Sequence, residues 1–402
     1  MRCLVGIDDT DSSRGFCTTY LAFRIAVDLR KQLSVVPYPR LVRLNPNIPF
    51  KTRGNASVCL EIETADPDSA FLALQDKLED LSDVAGGANS GLVFLQKMEL
   101  APEFRRIYLR ALSGVVNPAS VRAFLNEKRI EFATLGNGMG LVGAAASLGF
   151  TEADDRTYEL ISYRRRESWG SVRSIDPSSV REMDRFMYPH TFNNYDYQKR
   201  KVLVAPHGPD PVFAGVRGDS PSSVIKAFAR LGFEEELEGH MVYASNQHTD
   251  AHLGTRLDWK VFSSGWEEGT VIGVETGPGG HVYLTLDGGG RMRRCAFYEP
   301  TGDLRRVAKR LAPGDRVRLS GGIRRATTAH EKVLNVERMD VLKQSRAART
   351  GALARGTYIA SPRANRHLTK PLIRYGAEVT DAKPRAVSGW LKGPSRPMKA
   401  LA

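Results

Sequence analysis

The sequence predicts an α+β multidomain chain: an α/β unit at the N-terminus, more mixed α+β structure behind it, then a small β-barrel and a basic tail. Three observations predict it. A mostly apolar strand pattern, Met1–Ile7, runs into Asp8-Asp9-Thr10-Asp11-Ser12-Ser13-Arg14-Gly15, and Cys17-Thr18-Thr19 then opens a helix. Between residues 269 and 341, short alternating segments with glycine-rich turns flank one helical stretch. Of the formal net charge of +13, +11 falls in residues 343–402. A chain of 402 residues, 42% of them hydrophobic, is long enough for roughly two to four domains with substantial cores.

The first strand ends in three crowded carboxylates, Asp8, Asp9 and Asp11. Their mutual repulsion destabilises a tight turn unless a cation sits among them, and hard oxygen ligands at a strand end suit Mg²⁺ held against phosphate. Thr18 and Thr19 fall at a helix start, where free N–H groups and the helix dipole favour an anion. An Asp/Ser/Gly run in isolation is as readily a solvated turn. The apolar strand before it, the glycine and arginine within it and the threonines after it favour a metal–nucleotide site.

The first helix carries Leu21, Ile25, Leu29 and Leu33 on one face, and Leu41–Leu44 reads as a strand. The loop from Asn45 to Asn55 is long enough to suggest function, and its Lys51 and Arg53 could neutralise a polyphosphate or simply be solvated. Strand Ser57–Ile62 closes it. A helix over 67–81 and segments at 91–96 and 107–112 read as a small inserted α+β unit. Helix 117–128 follows, with Pro118 in its first turn, then strand 131–135 and the glycine-rich turn 136–143. Gly138 and Gly140 there could cradle phosphate, or serve close helix packing. Strand 158–163 precedes a polar cluster at 188–196, whose density of hydrogen-bonding side chains argues against a core position. His190 in it could transfer a proton or fix a loop. A strand at 201–205 and a helix near 221–230 lead to His248, Asp250 and His252, which read as a metal triad only on a suitable turn. Residues 269–341 then give β-β-β-α-β-β, the order of an oligonucleotide-binding (OB) barrel.

The tail, with thirteen Lys/Arg against Glu378 and Asp381, mixes its cations with Tyr358, Tyr375 and Trp390, a composition suited to phosphate contact and base stacking. No run of about 18 apolar residues occurs, so a membrane span is not expected and a cytoplasmic location is. Cys3, Cys17, Cys59 and Cys295 are scattered without C-x-x-C spacing and read as small core residues.

Several stretches in order, Val5–Leu21, Arg43–Asn55, Pro189–Asp196, Ala205–Pro211 and Arg366–Leu372, resemble the archaeal isoleucine-tRNA 2-agmatinylcytidine synthetase family. The resemblance implies a kinase-like catalytic domain in two parts, 1–62 and 131–200, with a ferredoxin-like inserted unit at 63–130. It further implies an α+β unit at 201–265, an OB-fold at 266–342 and a basic tail at 343–402. The implied reaction is ATP-dependent ligation of agmatine to C2 of the wobble cytidine in a CAU anticodon, so that the tRNA decodes AUA. Because an amide-like oxygen leaves poorly, that oxygen is first phosphorylated, and the amine of agmatine then displaces phosphate.

By motif, the resemblance assigns Asp8, Asp9, Asp11 and Thr18 to catalysis, with Mg²⁺ at the three carboxylates and Thr18 as phosphate acceptor. Thr19 or Arg14 could support Thr18; Ser12, Lys51, Arg53, Gly138 and Gly140 are the further ATP candidates, and His190, Asn193, Asn194 and Asp196 the candidates for substrate. Arg366, His367 and Lys370 go to RNA. Two departures stand out. The family's four-cysteine zinc ribbon is missing between Leu342 and Tyr358, so no zinc site is expected, and Met139 stands where a basic residue is expected. The alternative is a non-catalytic RNA-binding protein with an OB-fold and a basic tail; the intact carboxylates and threonines of the first turn favour the enzyme.

Overall fold

The computed structural model describes residues 1–51, 54–197, 199–325, 332–346, 353–360, 370–371, 374 and 386–394. Its N-terminal half is built on one twisted sheet. The strands and helices in chain order are β1 (Arg2–Asp8), α1 (Thr18–Asp28), β2 (Leu33–Val35), β3 (Arg40–Arg43), β4 (Ala56–Thr64), α2 (Pro67–Asp80) and β5 (Gly91–Leu95). Next come α3 (Ala101–Ser113), α4 (Pro118–Lys128), β6 (Glu131–Thr134), α5 (Leu141–Ser147), β7 (Thr157–Arg164) and α6 (Pro177–Met187). The short strands β8 (Tyr195–Asp196) and β9 (Lys201–Val202) precede β10 (Val212–Gly218), α7 (Pro221–Phe228) and β11 (Leu237–Ser245).

The sheet order is β10-β7-β11-β3-β4-β1-β5-β6, with β2 on β4, and the β11–β3 pair is parallel. Side chains alternate across it as strand geometry requires. Ile161 and Tyr163 of β7 and Val58, Leu60 and Ile62 of β4 face α1 and α2, whereas Leu160 faces α6 and α7, and Cys59 faces α3, α4 and α5. Hydrogen bonding runs straight through the expected divisions at 62/63, 130/131 and 200/201. β5 pairs along β1, β6 along β5, and β10 and β11 flank β7. Residues 63–130 therefore form no sheet of their own, because their one strand is spent on the central ladder.

The barrel comprises β12 (Ser264–Thr276), β13 (Val282–Asp287), β14 (Met292–Phe297), α8 (Asp303–Ala308), β15 (Arg316–Arg325) and β16 (Lys332–Lys343). Five strands in the order β14-β13-β12-β15-β16 close through the β14–β16 pair around Val271, Leu284, Phe297, Leu319 and Leu334. This closed barrel has the predicted element order; its first strand begins at Ser264, two residues ahead of the expected boundary.

The C-terminal segment differs from a solvated tail. β17 (Gly356–Ile359) extends β16, and β18 (Leu391–Lys392) returns to the large sheet beside β11. Trp390 packs edge-on to Tyr38, 6.1 Å between ring centroids, and its carbonyl accepts from the Val242 N–H at 2.8 Å. This indole faces inward and is not offered to bases; Tyr375 lies outside the described residues. Trp390→Ala is expected to cost about 2 kcal/mol, below the figure for a fully buried indole because the ring is only partly covered, as a shift in the urea midpoint would show. Among the described residues, no helix is long and apolar enough to cross a membrane.

Candidate active site at the acidic turn

Asp8 is the last residue of β1, and Asp9 takes a left-handed conformation (φ 57°) that turns the chain across the end of the sheet. The Asp9 N–H donates to Asp8 Oδ1 at 2.8 Å. Thr10 is fully buried, and its hydroxyl and N–H lie 3.2 and 3.4 Å from Thr18 Oγ1, so the first residue of α1 is folded back onto the turn. Thr19 fixes that helix start to the sheet through its carbonyl, which accepts from the hydroxyls of Tyr243 (2.7 Å) and Tyr163 (2.9 Å). Burial, then the charge of Asp9 and more weakly that of Asp11, push the Asp8 carboxyl well above the usual range; the Asp9 N–H offsets part of this.

The turn separates two pockets. On the α5 side, Asp8 and Asp9 share a pocket with the polar Lys51 and Asn55, with Gly140, and with the apolar Ile48, Phe50, Val115, Val116, Met139 and Val142. Met139 thus supplies an apolar surface where a basic residue was expected. Burial, and then Arg324, lower the pKa of the Lys51 ammonium. On the α1 side, Asp11, Cys17, Thr18 and Thr19 face Arg43, Glu159, His207, Asp210 and Arg217. Glu159, 3% exposed, is held by Arg217 at 2.8 Å, Gln247 Nε2 at 3.1 Å and Arg43 at 3.8 Å, while Arg43 Nε donates to Gln247 Oε1 at 2.7 Å. Such a closed charged network is rigid, because each member leaves a costly unpaired group if it moves.

The structure brings Asp8, Asp9, Asp11, Thr18, Thr19, Lys51 and Gly140 to these pockets. It places other expected residues elsewhere. Ser12 and Arg14 are engaged by Asp83: Ser12 Oγ donates at 2.7 Å and Arg14 Nε at 2.8 Å, and the pair holds the Asp83 carboxyl far below its usual pKa. A carboxylate already in reach takes the guanidinium that sequence reading gave to phosphate. Gly138 (φ 69°) makes the turn but lines neither pocket. No group of three or more His, Cys, Asp or Glu side chains arranged to hold a metal ion occurs among the described residues, at the acidic turn or at His248, Asp250 and His252. His252, buried, instead meets Glu337 of the barrel at 2.9 Å.

In the polar cluster at 188–196, Thr191, Phe192, Asn194 and Tyr195 are buried, contrary to expectation, whereas Tyr188, Pro189 and His190 are exposed. Asn194, with no exposed surface, donates to Asp184 (3.0 Å) and Thr191 (3.0 Å); polar groups bury readily once partnered. Asn193 lies 3.4 Å from His248, Asp196 accepts from the Lys199 N–H, and the exposed His190 meets Asp219 at 2.7 Å. None of these four lines either pocket. His190→Ala is accordingly expected to keep the activity that the resemblance implies within about twofold of wild type, measured as kcat/KM. Lys370, expected on RNA, pairs with Asp155 at 3.0 Å beside Arg374 at 2.8 Å. Arg53, Arg366 and His367 lie outside the described residues.

Sequence reading missed Arg43, Glu159, His207 and Arg217 as site residues. A weak signal existed for His207, in the stretch Ala205–Pro211. For the strand residues Glu159 and Arg217 there was none.

Two domain models match the chain: the TiaS TCKD domain over residues 4–72 and the TiaS FLD domain over 138–252, the latter crossing the division expected at 200/201. The isoleucine-tRNA 2-agmatinylcytidine synthetase TiaS of Cenarchaeum symbiosum is 43% identical over 342 residues, 84% of this chain and 76% of that one. Two solved structures are similar along nearly their whole length. A complex of TiaS with its isoleucine tRNA, AMPCPP and agmatine has a TM-score of 0.83 at 30% identity, covering 95% of this chain and 99% of the other. A complex of TiaS with the same tRNA and ATP has 0.84 at 32%, covering 97% and 99%. With the acidic turn, the two pockets and the barrel in the same chain as these matches, this protein belongs to the isoleucine-tRNA 2-agmatinylcytidine synthetase (TiaS) family.

Proposed function

We propose that this chain uses ATP to join agmatine to C2 of the wobble cytidine of the isoleucine tRNA with a CAU anticodon, through a phosphorylated cytidine. The observation that carries this reading is that one turn contributes to both pockets, Asp8 and Asp9 to the α5-side one and Asp11 to the α1-side one, with Thr18 lining the latter and bonded to Thr10 of the turn. A relative solved with its isoleucine tRNA, an ATP analogue and agmatine supports it.

The α5-side pocket suits a nucleotide: Ile48, Phe50 and Val115 cover a base, and Lys51 and the carboxylate end take the phosphates. Mg²⁺ fits Asp8 and Asp9, since it is commonly held by one or two carboxylates with substrate phosphates completing its shell, and Asp8 is a buried carboxyl facing a second one. When bound, it neutralises phosphate charge. The α1-side pocket takes the cytidine and agmatine, with Asp11, Glu159 and Asp210 as acceptors for cationic groups and Arg43 and Arg217 as donors. In the first step the cytosine O2 attacks phosphorus and the bond to the leaving nucleotide breaks. In the second, the primary amine attacks C2, loses a proton, and the C2–O bond breaks to release phosphate. Among the described lining residues, His207 carries an imidazole placed to accept that proton.

For the domains we propose that the segments 1–62 and 131–200 are the two parts of a kinase-like catalytic unit, with 63–130 inserted between them and 201–265 after them, all sharing one sheet through β5, β10 and β11. The barrel at 266–342 and the residues beyond it, among them Arg366 and His367, take the tRNA. The test incubates purified protein with unmodified CAU-anticodon isoleucine tRNA, ATP, Mg²⁺ and agmatine. A mass increase on the wobble nucleoside is expected only when all are present; binding of the tRNA without modification would leave a non-catalytic RNA-binding protein.

A further inference from the structure

The loop from Asn45 to Asn55 supplies Ile48, Phe50, Lys51 and Asn55 to the α5-side pocket, and a loop of that length needs external ties to hold a fixed wall. Its ties go to the barrel. Asn47 Nδ2 donates to Ser264 Oγ at 2.7 Å, and the Ser264 hydroxyl donates in turn to Asn45 Oδ1 at 2.9 Å. Asn45 Nδ2 donates to the carbonyl of Phe262 at 2.7 Å, just before the barrel, and to that of Gly114 at 3.2 Å on the pocket's opposite wall. Arg324 Nη1 reaches the Asn47 carbonyl at 3.3 Å. Asn45, Asn47 and Ser264 are 0%, 4% and 2% exposed, so these are dry bonds with no water to replace them. Opposite Ser264 in the β12–β15 ladder is Gly322, where a Cβ would fall on the Asn47 amide.

We propose that Asn45, Asn47, Ser264 and Gly322 are positioning residues through which the seating of the barrel sets the wall of the nucleotide pocket. The inference rests on that pocket being the ATP site. Removing the Ser264 hydroxyl strands the Asn47 amide N–H in the dry joint and leaves Asn45 Oδ1 with only the Asn47 backbone N–H at 3.0 Å, so the loop shifts to find another partner and Lys51 leaves its place. A methyl at Gly322 displaces the same Asn47 side chain by bulk, without removing any polar partner. Two chemically different changes, both on the barrel and neither touching the pocket, thus converge on one loop.

The experiment measures steady-state modification by the full chain with ATP and tRNA varied separately, for wild type, Ser264→Ala, Gly322→Ala and Lys51→Ala. Both barrel variants are expected to raise KM for ATP about fivefold or more and to leave KM for tRNA within about twofold. Damage to the fold alone would lower active enzyme and kcat without that split. An unchanged KM for ATP in both barrel variants, or a parallel rise in both KM values, overturns the proposal. Should Lys51→Ala itself leave KM for ATP unchanged, the reading of the pocket as the nucleotide site fails instead, and the two failures are told apart. Where loss of the hydroxyl impairs folding, Gly322→Ala reads the same contact.

Discussion

Replacing Gly143 by alanine is expected to abolish tRNA modification while leaving the chain folded. Within α5 an alanine is intrinsically the better residue, by about 1 kcal/mol. Its Cβ, however, would fall on Asp8 Oδ2, and the nearest atoms it meets all belong to the Asp8 side chain. The carboxylate has to swing aside, whereas Asp8 Cβ, 3.0 Å away, asks the β1–α5 contact to give by only a few tenths of an ångström. A carboxylate swung out of the nucleotide pocket can no longer face the phosphates, and a loss of kcat/KM on the order of a hundredfold or more is expected, as for a preorganised electrostatic group. Asp8→Asn, which keeps the shape and removes the charge, should match it. Gly6→Ala is the contrasting control, since its Cβ would fall on the Ala144 carbonyl, a backbone atom, and the contact between β1 and α5 has to open. Thermal unfolding should therefore drop for Gly6→Ala and hold for Gly143→Ala. A fully active Gly143→Ala enzyme would show that the position of Asp8 does not matter to the reaction.

What made this half of the site legible is that its signals are local. An apolar strand, three carboxylates and two threonines lie within nineteen residues, and the observed strand–turn–helix follows that order directly. The other half carries no such signal. Glu159 sits in β7 and Arg217 in β10, within patterns that read as ordinary strands, and only the sheet order places them across from Thr18. The partner of Ser12 and Arg14 was illegible for the same reason, because Asp83, about seventy residues later, binds both. Polarity also misled at 191–196, where Asn194 is buried with its partners Asp184 and Thr191 beside it. Composition could say that residues 343–402 are basic and aromatic. It could not say which members face inward, as Trp390 does on Tyr38 and Lys370 on Asp155.

The inward packing of the C-terminal segment also bears on how tRNA affinity should be tested. Removing everything after Leu342 deletes β17 and β18 and exposes the surface that Trp390 covers, so lost affinity in such a chain mixes lost charge with a damaged fold. A charge-neutralising substitution at Arg366, read as the slope of log affinity against log salt, isolates the electrostatic part, each lost phosphate contact reducing it by roughly 0.7 to 0.9.

Thr18→Ala is expected to stop modification, and Thr18→Ser to retain a measurable rate. The Thr18 oxygen lies at the N-terminus of α1, 3.2 Å from the Thr10 hydroxyl, on the wall shared by the turn and the α1-side pocket. If its role were structural, losing it would remove the two buried hydrogen bonds it accepts from Thr10, at 3.4 and 3.2 Å and worth about 1 kcal/mol each. That would lower stability slightly and activity hardly at all, in the alanine and serine variants to different small degrees. If the hydroxyl accepts or positions the transferred phosphate, the two variants separate sharply: alanine has no oxygen to offer at any protein concentration, whereas serine keeps the oxygen and loses only the methyl that restricts its rotamer. Modification rates of the two variants with CAU-anticodon tRNA, alongside their unfolding midpoints, distinguish the cases. Equal rates in both would reduce Thr18 to a partner of Thr10 in the turn and move the phosphate-accepting role elsewhere on the pocket wall.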